Sequence, residues 1–218
     1  MAKIQPLPAA SPSLSSSSSS ASAEWHRGGG LQGKQKKAVY TVWMKSLVFN
    51  GHGCTVYGSD GHVAFRVDNY GCRGSRDVFF MDTAGNTLIG IQTKRFGMLK
   101  RWEACRHHHG GDGFGETTTP WFRVQRGRTS GGGGGAMATV TLHGGGGGRA
   151  YRIDGCPRKS EYRITGAGGE VVAEMARKQT ASGVVLGEDV LTLTVGPDAD
   201  HLLVLGLVVV CGLMNRAM

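Results

Sequence analysis

The stretch DHLLVLGLVVVCGLM, residues Asp200–Met214, decides the fold of this chain. From Leu202 to Met214 no side chain is charged, and the thiol of Cys211 is the only polar group. A helix that is apolar on every side must be enclosed by protein or by lipid. As a helix these residues span only ~20 Å, whereas the hydrocarbon layer of a bilayer is ~30 Å thick. The length therefore favours a helix buried inside the protein.

The residues around this stretch leave two secondary structures to compare. Gly196-Pro197 ends the preceding segment, and Asp198 or Asp200 can cap the first turn of a helix. Val208–Val210 are β-branched and are typical of a buried strand instead. Length and the aspartate cap favour a helix over about residues 200–214.

The chain before the helix alternates short apolar runs with turn residues, which is typical of strands in a sandwich or barrel. A closed barrel of about a dozen strands removes exposed edges and is wide enough to enclose a helix. A short turn is predicted over Arg95–Lys100. Surface loops are predicted at His107–Pro120 and at the glycine runs Gly131–Gly135 and Gly144–Gly148. The predicted strands are Val39–Trp43, Gly53–Tyr57, Val63–Val67, Val78–Met81, Leu88–Thr93, Arg101–Arg106, Trp121–Val124, Ala138–Leu142, Tyr151–Ile153, Glu161–Thr165, Val171–Met175 and Asp189–Val195.

The 218 residues suffice for one domain and a tail. Met1–Lys37 is Ser-rich and of low complexity, so we predict a disordered tail at 1–37 and one barrel domain at 38–218. The tail lacks the apolar core of a secretory signal. It is poor in acids, as transit peptides are, but it lacks their amphipathic arginine face, so organellar import is not expected.

The net charge of +9 favours polyanionic partners, such as acidic lipid headgroups or nucleic acid, although a merely basic soluble protein would show it too. The five cysteines are dispersed, odd in number and never spaced C-x-x-C, which argues against a zinc ribbon and a disulfide framework. No N-x-S/T sequon occurs, and no apolar run reaches the ~18 residues of a membrane span. These features suit an intracellular protein without a transmembrane span.

Six segments of the chain form a recognisable series: Thr41–Gly51, Gly61–Tyr70, Asp82–Asn86, Lys94-Arg95, Arg101–Glu103 and Asp200–Val210. Together they resemble the plant LURP-one-related family over about Ala38–Met218. The resemblance implies a mainly β fold, a twelve-stranded antiparallel tubby-like barrel enclosing the C-terminal hydrophobic helix, as in tubby proteins and phospholipid scramblases. It also implies a role in defence against pathogens and no established enzymatic activity. Tubby domains bind phosphoinositide headgroups through basic residues.

The candidates for catalysis or metal binding are incomplete. His107–His109 with Asp112 offer metal-ligand atoms, but three adjacent histidines in a Gly-rich loop cannot all face one ion. Cys105 has no oriented base and is expected to be a small buried residue. The glycine runs lack a Walker lysine, and Ser59 lies in a hairpin turn. We therefore predict no catalytic residue, no metal site, no cofactor and no enzymatic activity.

Lys94, Arg95, Lys100 and Arg101 flank a predicted strand end and are the candidate ligand-binding residues. Arginine forks and lysine point charges suit a phosphate, whereas a solvated loop would show the same residues. The sequence thus favours a non-enzymatic tubby-like binding module in plant defence signalling. Its expected partner is an acidic phospholipid headgroup or a protein.

Two alternative functions remain open. A nucleic-acid-associated transcriptional regulator is disfavoured because no recognition helix is visible. Alternatively, the C-terminal helix anchors the chain in a membrane, as suggested for scramblases. The expected location is the cytoplasm, the periphery of the plasma membrane or the nucleus.

Overall fold

The computed structural model describes residues 36–44, 53–68, 77–96, 99–108, 117–127, 137–144, 150–156 and 160–215. These residues form twelve strands and one helix. In chain order the elements are β1 Ala38–Trp43, β2 Cys54–Tyr57, β3 Val63–Asp68, β4 Asp77–Met81, β5 Thr87–Phe96, β6 Leu99–His108, β7 Thr117–Arg126, β8 Ala138–Leu142, β9 Ala150–Cys156, β10 Glu161–Thr165, β11 Val171–Arg177, β12 Val190–Val195 and α1 His201–Asn215.

The strands close into one antiparallel barrel in which each strand pairs with its neighbours in the chain. Closure comes from β1 and β12, whose six residue pairs run from Ala38↔Val195 to Trp43↔Val190. The expected barrel with a C-terminal hydrophobic helix is therefore confirmed. The predictions for β8 and β10 have the same bounds as the structure.

The helix α1 lies inside the barrel, and its residues from Leu203 to Gly212 are all buried. Asp200 caps it, because the backbone N–H of Leu203 donates to Asp200 Oδ1 at 3.0 Å. The alternatives of a buried strand and of a membrane anchor are thus wrong for this stretch. No helix in the described part of the chain is long and apolar enough to cross a membrane.

Gly206 lets the helix approach the barrel wall closely. A Cβ at this position would lie 3.0 Å from the ring of Phe122 and 3.3 Å from Cδ1 of Ile89. Such distances are tighter than ordinary packing, so a larger side chain would displace the wall. The inward side chains of β5–β7 that surround the helix are fully buried: Ile89, Ile91, Trp102, Ala104, Phe122 and Val124.

The strands β5–β7 are longer than the sequence predicted. His107 and His108 belong to β6 and pair with Thr118 and Thr117 of β7, so the predicted loop over His107–Pro120 is wrong at both ends. Pro120 is tolerated in β7 because it lies at a register shift opposite Cys105, where the ladder is irregular.

The predicted turn over Arg95–Lys100 is also too long. Arg95 and Lys100 are paired strand residues, and Phe96 pairs with Leu99. The connection is therefore limited to residues 97–98, which lie outside the described part of the chain. Polar residues extend β5 and β6 here, because the backbone hydrogen bonds between strands do not require apolar side chains.

Because neighbouring strands are antiparallel, successive connections lie alternately at the two ends of the barrel. At the upper end, β12 passes through Gly196–Asp200 into the helix. The ends of β5 and β6 that adjoin residues 97–98, and the connection from β11 to β12, lie at the lower end.

Some sequence predictions fall outside the described residues. They include most of the Ser-rich tail, the run Gly131–Gly135, and all of the run Gly144–Gly148 except Gly144. The division into a tail at 1–37 and a domain at 38–218 stays a prediction.

Candidate anion-binding surface

The four predicted ligand-binding residues lie on β5 and β6 near the lower end. Lys94 pairs with Arg101, and Arg95 pairs with Lys100. Residues directly opposite each other share one face of a sheet, and successive residues alternate between faces. The structure therefore brings Lys94 and Arg101 together on the outer face and places Lys100 on the other face. The side chain of Arg95 lies outside the described part of the structure.

Glu103 is the centre of a cluster on the outer face of β5–β7. Its carboxylate lies 3.6 Å from Lys94 Nζ and 3.3 Å from Arg101 Nε. Arg123 reaches the same carboxylate from β7, with Nη2 at 3.1 Å and Nε donating at 3.2 Å. Three cations from three strands thus surround one carboxylate, and we call these four residues the outer cluster.

The strand register explains why these side chains meet. Glu103 is directly opposite Arg123 on β7, and Arg101 lies two residues before Glu103 on the same face of β6. Lys94 is opposite Arg101 on β5. Sequence reasoning missed Glu103 and Arg123. The Arg101–Glu103 spacing was a visible signal, whereas Arg123 could be placed only once the pairing of β6 with β7 was known.

The charge of the outer cluster is not balanced. Its three cations and one carboxylate leave a net charge of +2. The cationic side chains keep between 38% and 48% of their surface exposed, and Glu103 keeps 23%. Exposed ion pairs contribute only about 0–1 kcal/mol each, so this arrangement adds little to stability. What it offers is hydrogen-bond donors held next to each other at the surface.

A second polar group lies at the upper end, where the helix begins. Arg106 Nη2 is 3.5 Å from Asp200 Oδ2, and its guanidinium carbon lies 4.0 Å from the centre of the Trp121 ring. The hydroxyl of Tyr40 is 2.8 Å from His201 Nδ1. These contacts join the start of the helix to β1, β6 and β7.

The protonation of Tyr40 and His201 follows from their burial. Burial raises the pKa of Tyr40, so its hydroxyl stays protonated and can donate to Nδ1. Burial also lowers the pKa of His201, an effect that the charge of Asp200 opposes in part. The lowered pKa favours the neutral imidazole, and the tautomer of His201 decides which partner donates in its hydrogen bond with Tyr40.

Within the described residues, the candidates for metal binding and thiol chemistry lie apart from one another. His107 and His108 are consecutive on β6 and point to opposite faces, and His108 Nε2 lies 3.1 Å from Thr119 Oγ1. His109 and Asp112 lie outside the described residues. Among the described residues, no group of three His, Cys, Asp or Glu is placed to hold a metal ion. Cys105 is half-buried on β6 rather than fully buried as expected.

Comparison with known proteins identifies relatives over most of the chain. A family model described as LURP-one-related matches residues 38–212. The Arabidopsis thaliana protein LURP-one-related 11 is 36% identical over 180 residues, which cover 81% of this chain and 77% of the relative. LURP-one-related 4 from the same plant is 35% identical over 180 residues, covering 83% and 80%.

A solved structure has the same fold. The crystal structure of an Arabidopsis thaliana protein covers 84% of this chain and 93% of its own, with a TM-score of 0.57 and 19% sequence identity. At that identity the likeness concerns the fold alone.

Proposed function

This chain belongs to the LURP-one-related family, and on that premise we propose that it is a non-enzymatic binding module for acidic phospholipid headgroups. The outer cluster is the observation that supports the proposal. Lys94, Arg101 and Arg123 present donors from three adjacent strands, and Glu103 alone opposes their charge. An anionic surface would supply the negative charge that the cluster lacks.

The donors of the cluster suit phosphate oxygens. Arginine offers a planar fork that matches a phosphate, and lysine offers a point charge. Glu103 holds Arg101 and Arg123 side by side before a ligand arrives, which reduces the loss of side-chain freedom on binding. An incoming phosphate can take the outer donors while Glu103 keeps the inner ones. The cluster provides charge and hydrogen bonds, and we assign no catalytic step to it.

A lipid headgroup fits the geometry better than nucleic acid. Reading of duplex grooves uses an inserted helix or a two-stranded ribbon. The helix of the described structure is enclosed by the barrel, so it is not free to enter a groove. The cluster instead lies on a convex sheet near one end of the barrel, where it can face a bilayer.

The proposed biological setting is defence signalling in plants, with the protein at the periphery of the plasma membrane. The family resemblance supplies the expectation of defence, and the outer cluster supplies the membrane contact. A fluorescently tagged chain should locate to the cell periphery, and it should move to the cell interior when Arg101 and Arg123 are both replaced by glutamine.

Vesicle flotation with a matched pair of variants tests the proposal. The chain is floated with phosphatidylcholine vesicles that contain or lack a phosphoinositide. R101Q/R123Q removes two cations of the cluster. R152Q/R163Q removes two exposed cations that lie on β9 and β10 and pair with Asp154 and Glu174. Each variant lowers the net charge by the same amount.

We expect R101Q/R123Q to bind phosphoinositide vesicles about 30-fold more weakly, since a cation near an anionic surface contributes about 1 kcal/mol. R152Q/R163Q should bind within about twofold of the unaltered chain, because its cations lie outside the outer cluster and each is paired with its own carboxylate. Equal weakening in the two variants would assign binding to net charge and contradict the proposed site. Equal, negligible flotation of the unaltered chain with both kinds of vesicle would contradict binding to a lipid headgroup. A protein would then be the expected partner.

A duplex DNA titration separates the nucleic-acid alternative. A regulator would bind duplex DNA with an affinity that falls steeply with salt, and R101Q/R123Q would reduce that slope. The headgroup proposal predicts weak duplex binding that the two double variants alter equally.

A further inference from the structure

The connection between β11 and β12 is an ordered hairpin rather than a simple loop. The backbone N–H of Leu186 donates to the carbonyl of Lys178 at 2.9 Å, and that of Thr180 donates to Val184 at 2.8 Å. Gly183 closes the turn with a donor to Thr180 and a φ of 81°, which favours glycine. The backbone therefore holds residues 178–187, here called the tip hairpin, in one shape.

Three consecutive aliphatic side chains of the tip hairpin face solvent. Val184, Val185 and Leu186 are 60%, 45% and 49% exposed. Among the described residues the other exposed large hydrophobic side chains are Val39 and Val171, which lie singly on separate strands. Exposed apolar residues scattered singly are ordinary, whereas a contiguous group is a candidate interaction surface.

The tip hairpin is uncharged from residue 179 to residue 187. The charged side chains at its base already contact other residues. Arg177 lies 3.4 Å from Glu188, and Asp189 accepts a hydrogen bond from Trp43 Nε1 at 3.1 Å. Lys178 Nζ donates to the hydroxyl of Thr41. The tip can therefore leave water without removing a charge from it, which would cost several kcal/mol per ion.

The shape of the tip favours lipid over a protein pocket. Val185 pairs with Gln179 in an antiparallel bridge, and successive residues of a paired segment point to opposite faces, so Val185 points away from Val184 and Leu186. The apolar surface thus wraps around the ribbon instead of forming one flat patch. A fluid acyl layer surrounds an inserted ribbon on all sides, whereas a partner groove would cover one face.

The tip hairpin and the outer cluster lie at the same lower end of the barrel, on nearly opposite sides. A barrel of this size is roughly 25 Å across, given strands ~4.8 Å apart and tilted ~40°. With the lower end facing a bilayer, both can touch it at once. Two separated contacts would fix the orientation of the barrel on the membrane.

We propose that Val184, Val185 and Leu186 insert into the boundary between headgroups and acyl chains of an anionic bilayer. This insertion rests on the proposed headgroup function and adds an apolar anchor to it. The apolar side chains of interfacial segments reach ~5–10 Å into that boundary. The anchor supplies the part of the affinity that salt does not screen, and the outer cluster supplies the part that salt does screen.

Vesicle binding of the full chain at low and high salt tests the insertion. V184S/L186S removes two aliphatic side chains of the tip, and V39S/V171S removes the same chemistry from the upper end. All four positions are exposed, so melting temperatures should match the unaltered chain. We expect V184S/L186S to bind anionic vesicles about tenfold more weakly at both salt concentrations. V39S/V171S should remain within about twofold.

A tryptophan placed at the tip reports its depth directly. The tryptophan introduced in L186W should be quenched by acyl-brominated phosphatidylcholine when the protein binds anionic vesicles. The tryptophan introduced in V39W should not be quenched. If the unaltered chain and V184S/L186S bind alike, or if L186W escapes quenching in bound protein, the insertion is wrong while the headgroup function stands. If the tip variant weakens binding but R101Q/R123Q does not, the outer cluster is wrong instead.

A second copy of the chain is the alternative partner that could cover the tip hairpin. Light scattering of the chain in solution should give a monomer for both the unaltered protein and V184S/L186S. A dimer that dissociates in V184S/L186S would assign the tip to a second copy of the chain and overturn the insertion.

Discussion

The two faces of β5–β7 differ completely although they are built from alternating residues of the same strands. The inner face contributes Ile91, Trp102 and Phe122, which are buried against one another or the helix. The outer face contributes Glu103 and Arg123, which contact each other at the surface. The inner residues are constrained by packing, whereas packing hardly constrains the outer ones. The outer cluster is therefore a candidate for function, because it adds little to stability.

The largest expected effect is on stability, when a residue of the inner face is truncated and compared with its neighbour on the outer face. Phe122→Ala should lower the free energy of unfolding by about 3–5 kcal/mol, because it leaves a cavity beside Gly206. Arg123→Ala should lower it by about 1 kcal/mol or less, since it removes only half-exposed ion pairs. Urea unfolding with unchanged m-values would measure both. Similar losses in the two variants would contradict the division between the faces.

A change of charge within the outer cluster should have an intermediate effect. Glu103→Gln removes the one carboxylate beside the three cations, so the net charge of the outer cluster becomes more positive by one. Affinity for anionic vesicles should rise about fivefold, which corresponds to about 1 kcal/mol for one charge near the surface. Glu174→Gln, which frees Arg163 on β10, is the matched control and should change affinity little. A fall in affinity for Glu103→Gln would mean that the positioning of Arg101 and Arg123 by Glu103 outweighs the charge that the substitution removes.

The smallest effect concerns His201 at the start of the helix. Burial lowers its pKa below the ordinary 6.5, so the unfolded chain takes up a proton more readily than the folded one. The stability that neutral His201 provides is therefore full above pH 6.5 and is lost as the pH falls through the lowered pKa. Thermal melting of the unaltered chain should decline more steeply over that window than melting of His201→Gln. Parallel declines would show that His201 does not contribute.

Much of the fold could be predicted because burial leaves a pattern in the sequence. The uninterrupted apolar run at Leu202–Met214 required enclosure, and alternation in β8 and β10 gave their bounds. The extensions of β5, β6 and β7 could not be predicted in the same way. Residues such as His107 and Thr118 lie where neither face is buried in the core, so the pairing leaves no apolar period.

The outer cluster could be predicted only in part, for a different reason. Lys94 and Arg101 are recognisable in the sequence as clustered cations, but charge alone does not show that they share a face. Arg123 is 20 residues from Glu103 in the chain, and its contact depends on the register of β6 with β7. Register follows from the whole set of cross-strand pairs and the irregularity at Pro120, which no local pattern reveals.

Alkylation of cysteine at mildly alkaline pH tests the enclosed helix most directly. Burial raises the pKa of the Cys211 thiol to about 12, and this residue lies inside the barrel with 1% of its surface exposed. Mass spectrometry of the alkylated native protein should find Cys211 unmodified while half-buried Cys105 reacts, and both should react once the chain is unfolded. Modification of Cys211 in the native protein at the rate of Cys105 would contradict a helix enclosed by the barrel.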